Sequence, residues 1–286
     1  MRRRALLASS ATLLGGGLAG CLGDSGGGEP ATGAPTTDST TAEPTESTTS
    51  QTTYDAGVSA AFERLQPNVV VLGVDSVGVR PDGSQYAFFH VAVADGDAPE
   101  RSAFEFRFDG DSYPPGVDTS GTLWRDSEGD DRYTAARGAG WLVFELPETG
   151  DAGDAALALG GDEWSVAELV RERLEAPSPS LSLDWDAPEE QPAGTSTLGF
   201  TVTNDSERDT WFVGGVNAVE IRGAHAPVAG LAREIPARET VSWEITHENG
   251  KAPGDDSVGD GEPDGEYRLT WAQGEREQEV YFVAGE

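Results

Sequence analysis

From Val69 to the C-terminus, apolar and polar residues alternate with a period of two, in short runs separated by Gly, Asp, Asn and Pro. In "AFEFRF", Phe104, Phe106 and Phe108 fall on one face and Glu105 and Arg107 on the other, as in a half-buried antiparallel strand. Similar runs predict strands over residues 69–79, 86–94 and 141–146, the last with Leu142, Phe144 and Leu146 on one face. Asp75-Ser76 interrupts the first of these, which predicts a bulge or bend within one strand. The run "SAAFERL", residues 59–65, has helical spacing instead and predicts a short helix at the edge of the sheet.

Pro177 and Pro179 mark a boundary, after which the alternation starts again. Leu181, Leu183 and Trp185 share a face, as do Leu198, Phe200 and Val202, then Val241, Trp243 and Ile245, then Tyr267, Leu269 and Trp271. The run "QEVYFVA" closes the chain. About seven strands in so short a segment, with turn residues between them, fit a β-sandwich. The expected fold is therefore all-β, with two tandem immunoglobulin-like β-sandwiches over residues 54–176 and 177–286.

The first 53 residues read differently. Arg2, Arg3 and Arg4 precede an uncharged stretch that runs to Gly20, the layout of a signal peptide over residues 1–20. An uncleaved membrane anchor is the alternative, but a span needs about 20 predominantly apolar residues and this stretch is shorter and broken by Gly15, Gly16 and Gly17. Residues 24–53 contain no Val, Ile, Leu or aromatic residue, so nothing there can build a core. Their Thr, Ser and Pro predict a disordered stalk over residues 21–53, a candidate for O-glycosylation. As a flexible coil it would span roughly 30 Å on average.

Four resemblances extend this reading. Arg3-Arg4-Ala5-Leu6-Leu7 resembles a twin-arginine export signal, and Leu18-Ala19-Gly20-Cys21 resembles a lipobox. In lipoproteins with such a box the Cys thiol takes a glycerol-linked lipid and becomes the mature first residue, which implies lipidation of Cys21 and anchoring to the outer face of the cell membrane. Two long chains suffice for stable anchoring. Cys21 is the only cysteine, so lipidation would leave no thiol for a disulfide, a metal or a nucleophile; a buried structural cysteine is the alternative, in a Gly-rich neighbourhood that offers no core. "GWLVFELP", "AALAL" and the earlier "YAFFHVAVA" resemble the telokin-like immunoglobulin-fold domains of bacterial and archaeal surface lipoproteins, over residues 66–174. The stretch from Asp109 to Ala139 and the turn "DGDAPE" depart from that pattern. The resemblance implies a fold and no catalytic residues. Residues 177–286 resemble immunoglobulin-like adhesion or spacer modules of archaeal surface proteins, through "TVTND" and Gly265-Glu266-Tyr267.

Charge narrows the setting. The chain has 19 basic and 51 acidic residues, and without the three signal arginines the balance is 16 against 51, a net −35. Such a surface repels nucleic acid and acidic head groups. Strong acidity with Lys251 as the single lysine resembles proteins of salt-in halophilic archaea. In molar salt the Debye length falls to roughly 3 Å, so neighbouring carboxylates repel weakly. Codon usage in a GC-rich genome is an alternative account of the Arg bias, though not of the carboxylates.

Little catalytic chemistry is legible. His90, His225 and His247 lack the spacing of a zinc site, and there is no nucleophile elbow, phosphate loop or dinucleotide fingerprint. Asp260, Glu262 and Asp264 alternate before Gly265, as oxygen ligands do in a calcium loop, but the twelfth position is Trp271 instead of the required Glu; a solvated acidic loop is the alternative. Asn204-Asp205-Ser206 is a candidate N-glycosylation sequon at a predicted exposed turn. The sequence thus leads to a lipid-anchored binding or spacer module with no cofactor and no catalysis. Its expected contacts are the membrane through Cys21 and surface-layer or other envelope proteins. A solute-binding subunit of a transporter and a cell-envelope hydrolase are the alternatives.

The carboxylate surplus generates a prediction. At about 0.1 M salt the Debye length is about 10 Å and neighbouring acidic groups repel, whereas unfolding separates them. Thermal melting in KCl should therefore show a transition that rises steadily from roughly 0.1 M to 3 M, beyond the effect of a sucrose control. A salt-independent transition would reject the halophile reading.

Overall fold

The computed structural model describes residues 52–53, 57–80, 83–221, 223–252 and 261–283, which form one compact unit. The described residues are all-β, 55% strand and 6% helix. The N-terminal part holds β1 (Thr52–Thr53), β2 (Val58–Gln66), β3 (Val70–Leu72), β4 (Val77–Val79), β5 (Ser84–Val93), β6 (Phe104–Phe108), β7 (Asp111–Tyr113), β8 (Thr122–Leu123), β9 (Ala139–Pro147), β10 (Ala156–Leu159) and β11 (Asp162–Ser165). The helices are α1 (Trp124–Ser127) and α2 (Glu168–Leu174). The C-terminal part holds β12 (Ser182–Asp186), β13 (Glu190–Pro192), β14 (Thr195–Thr203), β15 (Thr210–Val219), β16 (His225–Ile235), β17 (Thr240–Glu248), β18 (Gly265–Trp271) and β19 (Gly274–Val283).

Two sandwiches result. In the first, the sheet β1-β2-β5-β9 faces β11-β10-β6-β7 across a core of Phe89, Phe104, Phe106, Phe144, Leu157 and Trp164. In the second, β12-β14-β17 faces β13-β19-β18-β15-β16 across Phe200, Phe212, Tyr267, Leu269 and Phe282. Both deal successive strands to two sheets as the immunoglobulin arrangement does. In the second, β13 leaves the β12 side of the sandwich and pairs in parallel with β19. The alternation expected of β6, β12, β14, β17 and β18 holds in register: Leu183, Val202 and Val241 form one row across β12, β14 and β17, and Trp185, Phe200 and Trp243 another.

Two expectations of secondary structure fail. "SAAFERL" is not a helix but most of β2, paired along its length with β5. Its apparent helical spacing comes from a bulge: the register shifts between Phe62 and Arg64, so one extra residue moves the apolar positions by one. Residues 69–79 are not one bent strand but a hairpin, β3 paired antiparallel to β4, with the Gly73 amide donating to Ser76 O at 2.7 Å across the turn.

That hairpin belongs to a third layer, which the alternation does not predict. β5 and β9 are buried on both faces. Tyr86, Phe88, Trp141 and Val143 point away from the first core and are covered by Val69, just before β3, and by Leu123 of β8 in the small sheet β4-β3-β8. Strands covered on both sides read as continuous apolar runs, which is why "YAFFHV" and "WLVFEL" lack a polar face. Burial, reinforced by the Glu145 carboxylate, pushes the Tyr86 phenol up to about 12. The stretch from Asp109 to Ala139 protects the free edge of β9: the Tyr133 amide donates to Trp141 O, the Trp141 amide to Asp131 O, and the Gly116 amide to Val143 O. Gly140 is required there, since at its φ of +137° a Cβ would lie 2.5 Å from Asp131 O.

The sequon forms a turn, but not an exposed one. Asn204 is fully buried. Its Nδ2 reaches Arg208 O at 2.8 Å, Ile235 O at 3.0 Å and Pro236 O at 3.1 Å, while Oδ1 accepts from the Ser206 amide and hydroxyl. The amide that glycosylation would use instead ties the β14–β15 turn to the β16–β17 turn. Asn204→Ala should lower stability by about 2–3 kcal/mol in denaturant titration, because it strands these buried partners. Asp205→Ala, at an exposed neighbour, should change it by less than about 0.5 kcal/mol.

Candidate functional site

The bulge in β2 determines what faces the second sandwich. Before it, Phe62 lies opposite Phe89 and points into the first core; after it, Arg64 lies opposite Phe88 and Gln66 opposite Tyr86, on the outer face. Arg64 and Gln66 thus become the floor of a cleft. Trp124 and Arg125 of α1 form one side, and Gly230, Leu231 and Ala232 of β16 form the opposite wall. The cleft has a volume of about 260 Å³ and lies between the two sandwiches.

The junction around it is closely fitted. The Val77 amide donates to Asn217 Oδ1 at 2.7 Å, and Asn217 Nδ2 donates to Val77 O at 2.7 Å, so one side chain pairs with a backbone as a neighbouring strand would. Asn217 can do this because the register of β15 against β16 shifts between Val216 and Asn217. Val70, Val77 and Val213 pack beside this pair. Two glycines allow the approach: a Cβ on Gly215 would lie 3.1 Å from Val77 O, and one on Gly230 would lie 2.4 Å from the Trp124 ring.

Cations and rings alternate along the cleft. The Arg64 guanidinium lies 4.8 Å from the ring centroids of both Phe88 and Trp211, one from each sandwich. Arg125 lies 4.8 Å from Trp141 and 5.6 Å from Phe88. Arg125 is well paired, with Glu63 Oε1 at 2.7 Å and Asp130 Oδ2 at 2.6 Å. Among the described residues Arg64 makes a single ion pair, with Glu63 at 3.8 Å. Burial, opposed by Glu63, holds its guanidinium below the ordinary value. Arg64 Nε, Gln66 Nε2 and Trp124 Nε1 are buried donors without an acceptor among the described residues. Such a wall can accept a ligand rich in acceptors, and Glu128 and Asp130 on the same cleft offer negative charge nearby.

None of the residues singled out in the sequence lies here. Arg3, Arg4, Leu6, Leu7, Leu18, Ala19, Gly20, Cys21 and Asp260 fall outside the described residues. Glu262 is exposed, whereas Asp264 is not an open ligand: Lys251 Nζ lies 2.8 Å from its Oδ1, and the Phe282 amide donates to its Oδ2 at 2.8 Å. The side chain of Asp264 is only 4% exposed, so its charge is matched by the chain's one lysine within the fold. His90 is exposed on β5, His225 begins β16, and His247 on β17 meets Tyr267 edge-on at 5.3 Å. Among the described residues no three or more His, Cys, Asp or Glu side chains are grouped to hold a metal ion, and no helix is long and apolar enough to cross a membrane. The absence of a polar face in "YAFFHV" signalled a second cover over β5 but not the cleft beside it.

Gly230→Val should force Trp124 off β16, lowering stability by about 1–3 kcal/mol and shifting tryptophan emission to the red. Unchanged emission and stability would show that this contact does not hold the sandwiches together.

Comparison with known protein families finds no match, and comparison with curated proteins finds none either.

Proposed function

We propose that this chain is a lipid-anchored cell-surface protein whose two sandwiches act together as a single binding and spacing module. The observation that carries the proposal is the interlocked junction, where Asn217 pairs with the Val77 backbone and Trp124 seats against Gly230. A flexible pair of domains has a small, polar interface, whereas this one combines a buried amide pair with an apolar contact. The anchor rests on the sequence, through Arg3-Arg4-Ala5-Leu6-Leu7 and Leu18-Ala19-Gly20-Cys21, and a Thr-rich and Ser-rich stalk would hold the module off the membrane. The telokin-like resemblance, the halophilic setting and envelope partners belong to the same reading, which assigns the protein no catalytic step.

A second reading, a solute-binding lipoprotein, is favoured by one feature: the cleft between the sandwiches, lined by Phe88, Trp124 and two arginines.

Phase partitioning of cell extracts tests the anchor. The wild type should enter the detergent phase and begin at Cys21 by mass spectrometry, while Cys21→Ser should escape cleavage by the lipoprotein route and be weakly retained or shed. Mature wild-type protein in the aqueous phase, beginning elsewhere, would overturn the proposal.

A further inference from the structure

We infer that the cleft between the sandwiches binds a small zwitterion, a molecule such as an α-amino acid with one carboxylate and one cationic nitrogen. The inference deepens the solute-binding reading and rests on it.

The charges in the cleft are unequally matched. Arg125 is held by Glu63 and Asp130 at 2.7 and 2.6 Å. Arg64 is not matched in this way, because the nearest oxygen of Glu63 is 3.8 Å from its Nε and that oxygen already accepts from Arg125. Its contacts with Phe88 and Trp211 engage ring faces and consume no N–H donor. Beside it, Gln66 is 3% exposed and its Nε2 has no acceptor among the described residues. A buried donor without an acceptor is destabilising, and a cation in that position more so. A carboxylate at this floor would accept from the guanidinium in the strong, charge-assisted manner.

An anion alone fits poorly, since Glu128 and Asp130 line the same cleft. Glu128 is exposed and makes no ion pair among the described residues, so the cleft that holds the buried, weakly paired Arg64 also offers a carboxylate free to meet a cationic group. A cation alone would meet Arg64. A molecule with both charges answers both groups, and Phe88, Leu123 and Trp124 supply apolar wall for its body. The volume, about 260 Å³, lies below the roughly 300–1,000 Å³ of sites for drug-sized ligands and suits a small metabolite.

The experiment is titration of the full chain, followed by tryptophan fluorescence and calorimetry, with glycine, L-leucine, L-glutamate and L-lysine. Sodium acetate and methylammonium chloride, the two halves of the ligand, serve as comparators. At least one amino acid should bind at least 100-fold more tightly than either half. Glu128→Gln, an exposed change that leaves the core untouched, should weaken that binding at least tenfold, and Arg64→Leu should abolish it. Failure of all four amino acids to bind at about 10 mM, binding of acetate as tightly as an amino acid, or an unchanged affinity in Glu128→Gln would each overturn the inference. Because the titration is read in solution and detergent partitioning reads the anchor, either can fail without the other.

Discussion

The pairing of the Asn217 side chain with the backbone of Val77 is the contact on which the arrangement of this protein depends. A hairpin tip carries backbone donors and acceptors that must be met by water or by protein. Here β4 meets a side-chain amide from the other sandwich, at 2.7 Å in both directions. The amide is buried, so breaking the pair would leave four polar atoms without partners in an apolar setting. Everything that lets it form follows suit: the bulge that aims Asn217, the Gly215 that lets Val77 approach, and the valines that exclude water around it.

The same hairpin also covers the outer face of β5 and β9, so one small sheet has two duties. It completes the burial of Tyr86, Phe88 and Trp141, and it presents β4 to the second sandwich. The cleft is a by-product of this geometry. The bulge in β2 turns Arg64 and Gln66 onto the face that the third layer covers, where they line the cleft. Their charge and donors are left with aromatic rings on several sides and few acceptors, an arrangement suited to recognition and costly to keep without a ligand.

Buried asparagines recur as the polar locks of the second sandwich. Asn204 joins two turns at one end, and Asn249 joins the β13–β14 turn to the end of β17, with Nδ2 donating to Pro192 O and Ser196 Oγ. With Asn217 at the junction, three amides hold irregular backbone where strand ladders cannot. Each is isolated in sequence, so none has a periodicity that would mark it. Asn204 was visible only as a sequon, a pattern that says nothing about where the amide points.

Period-two alternation was enough to determine that the chain is all-β, because a strand with one covered face must alternate, as "AFEFRF" and "LGFTVTND" do. It misled wherever a bulge moved the register, as in "SAAFERL", and it was silent about the third layer, since an unbroken apolar run does not say what covers its second face. Charge, the single Cys21 and the N-terminal pattern likewise belong to the sequence alone. The cleft was not legible, because Arg64, Trp124 and Gly230 are separated by 60 and more positions and meet only when β2, α1 and β16 are packed together. Local pattern reports which face of a strand is apolar; only the tertiary structure decides which face another element covers and which charges are left unmatched when it does.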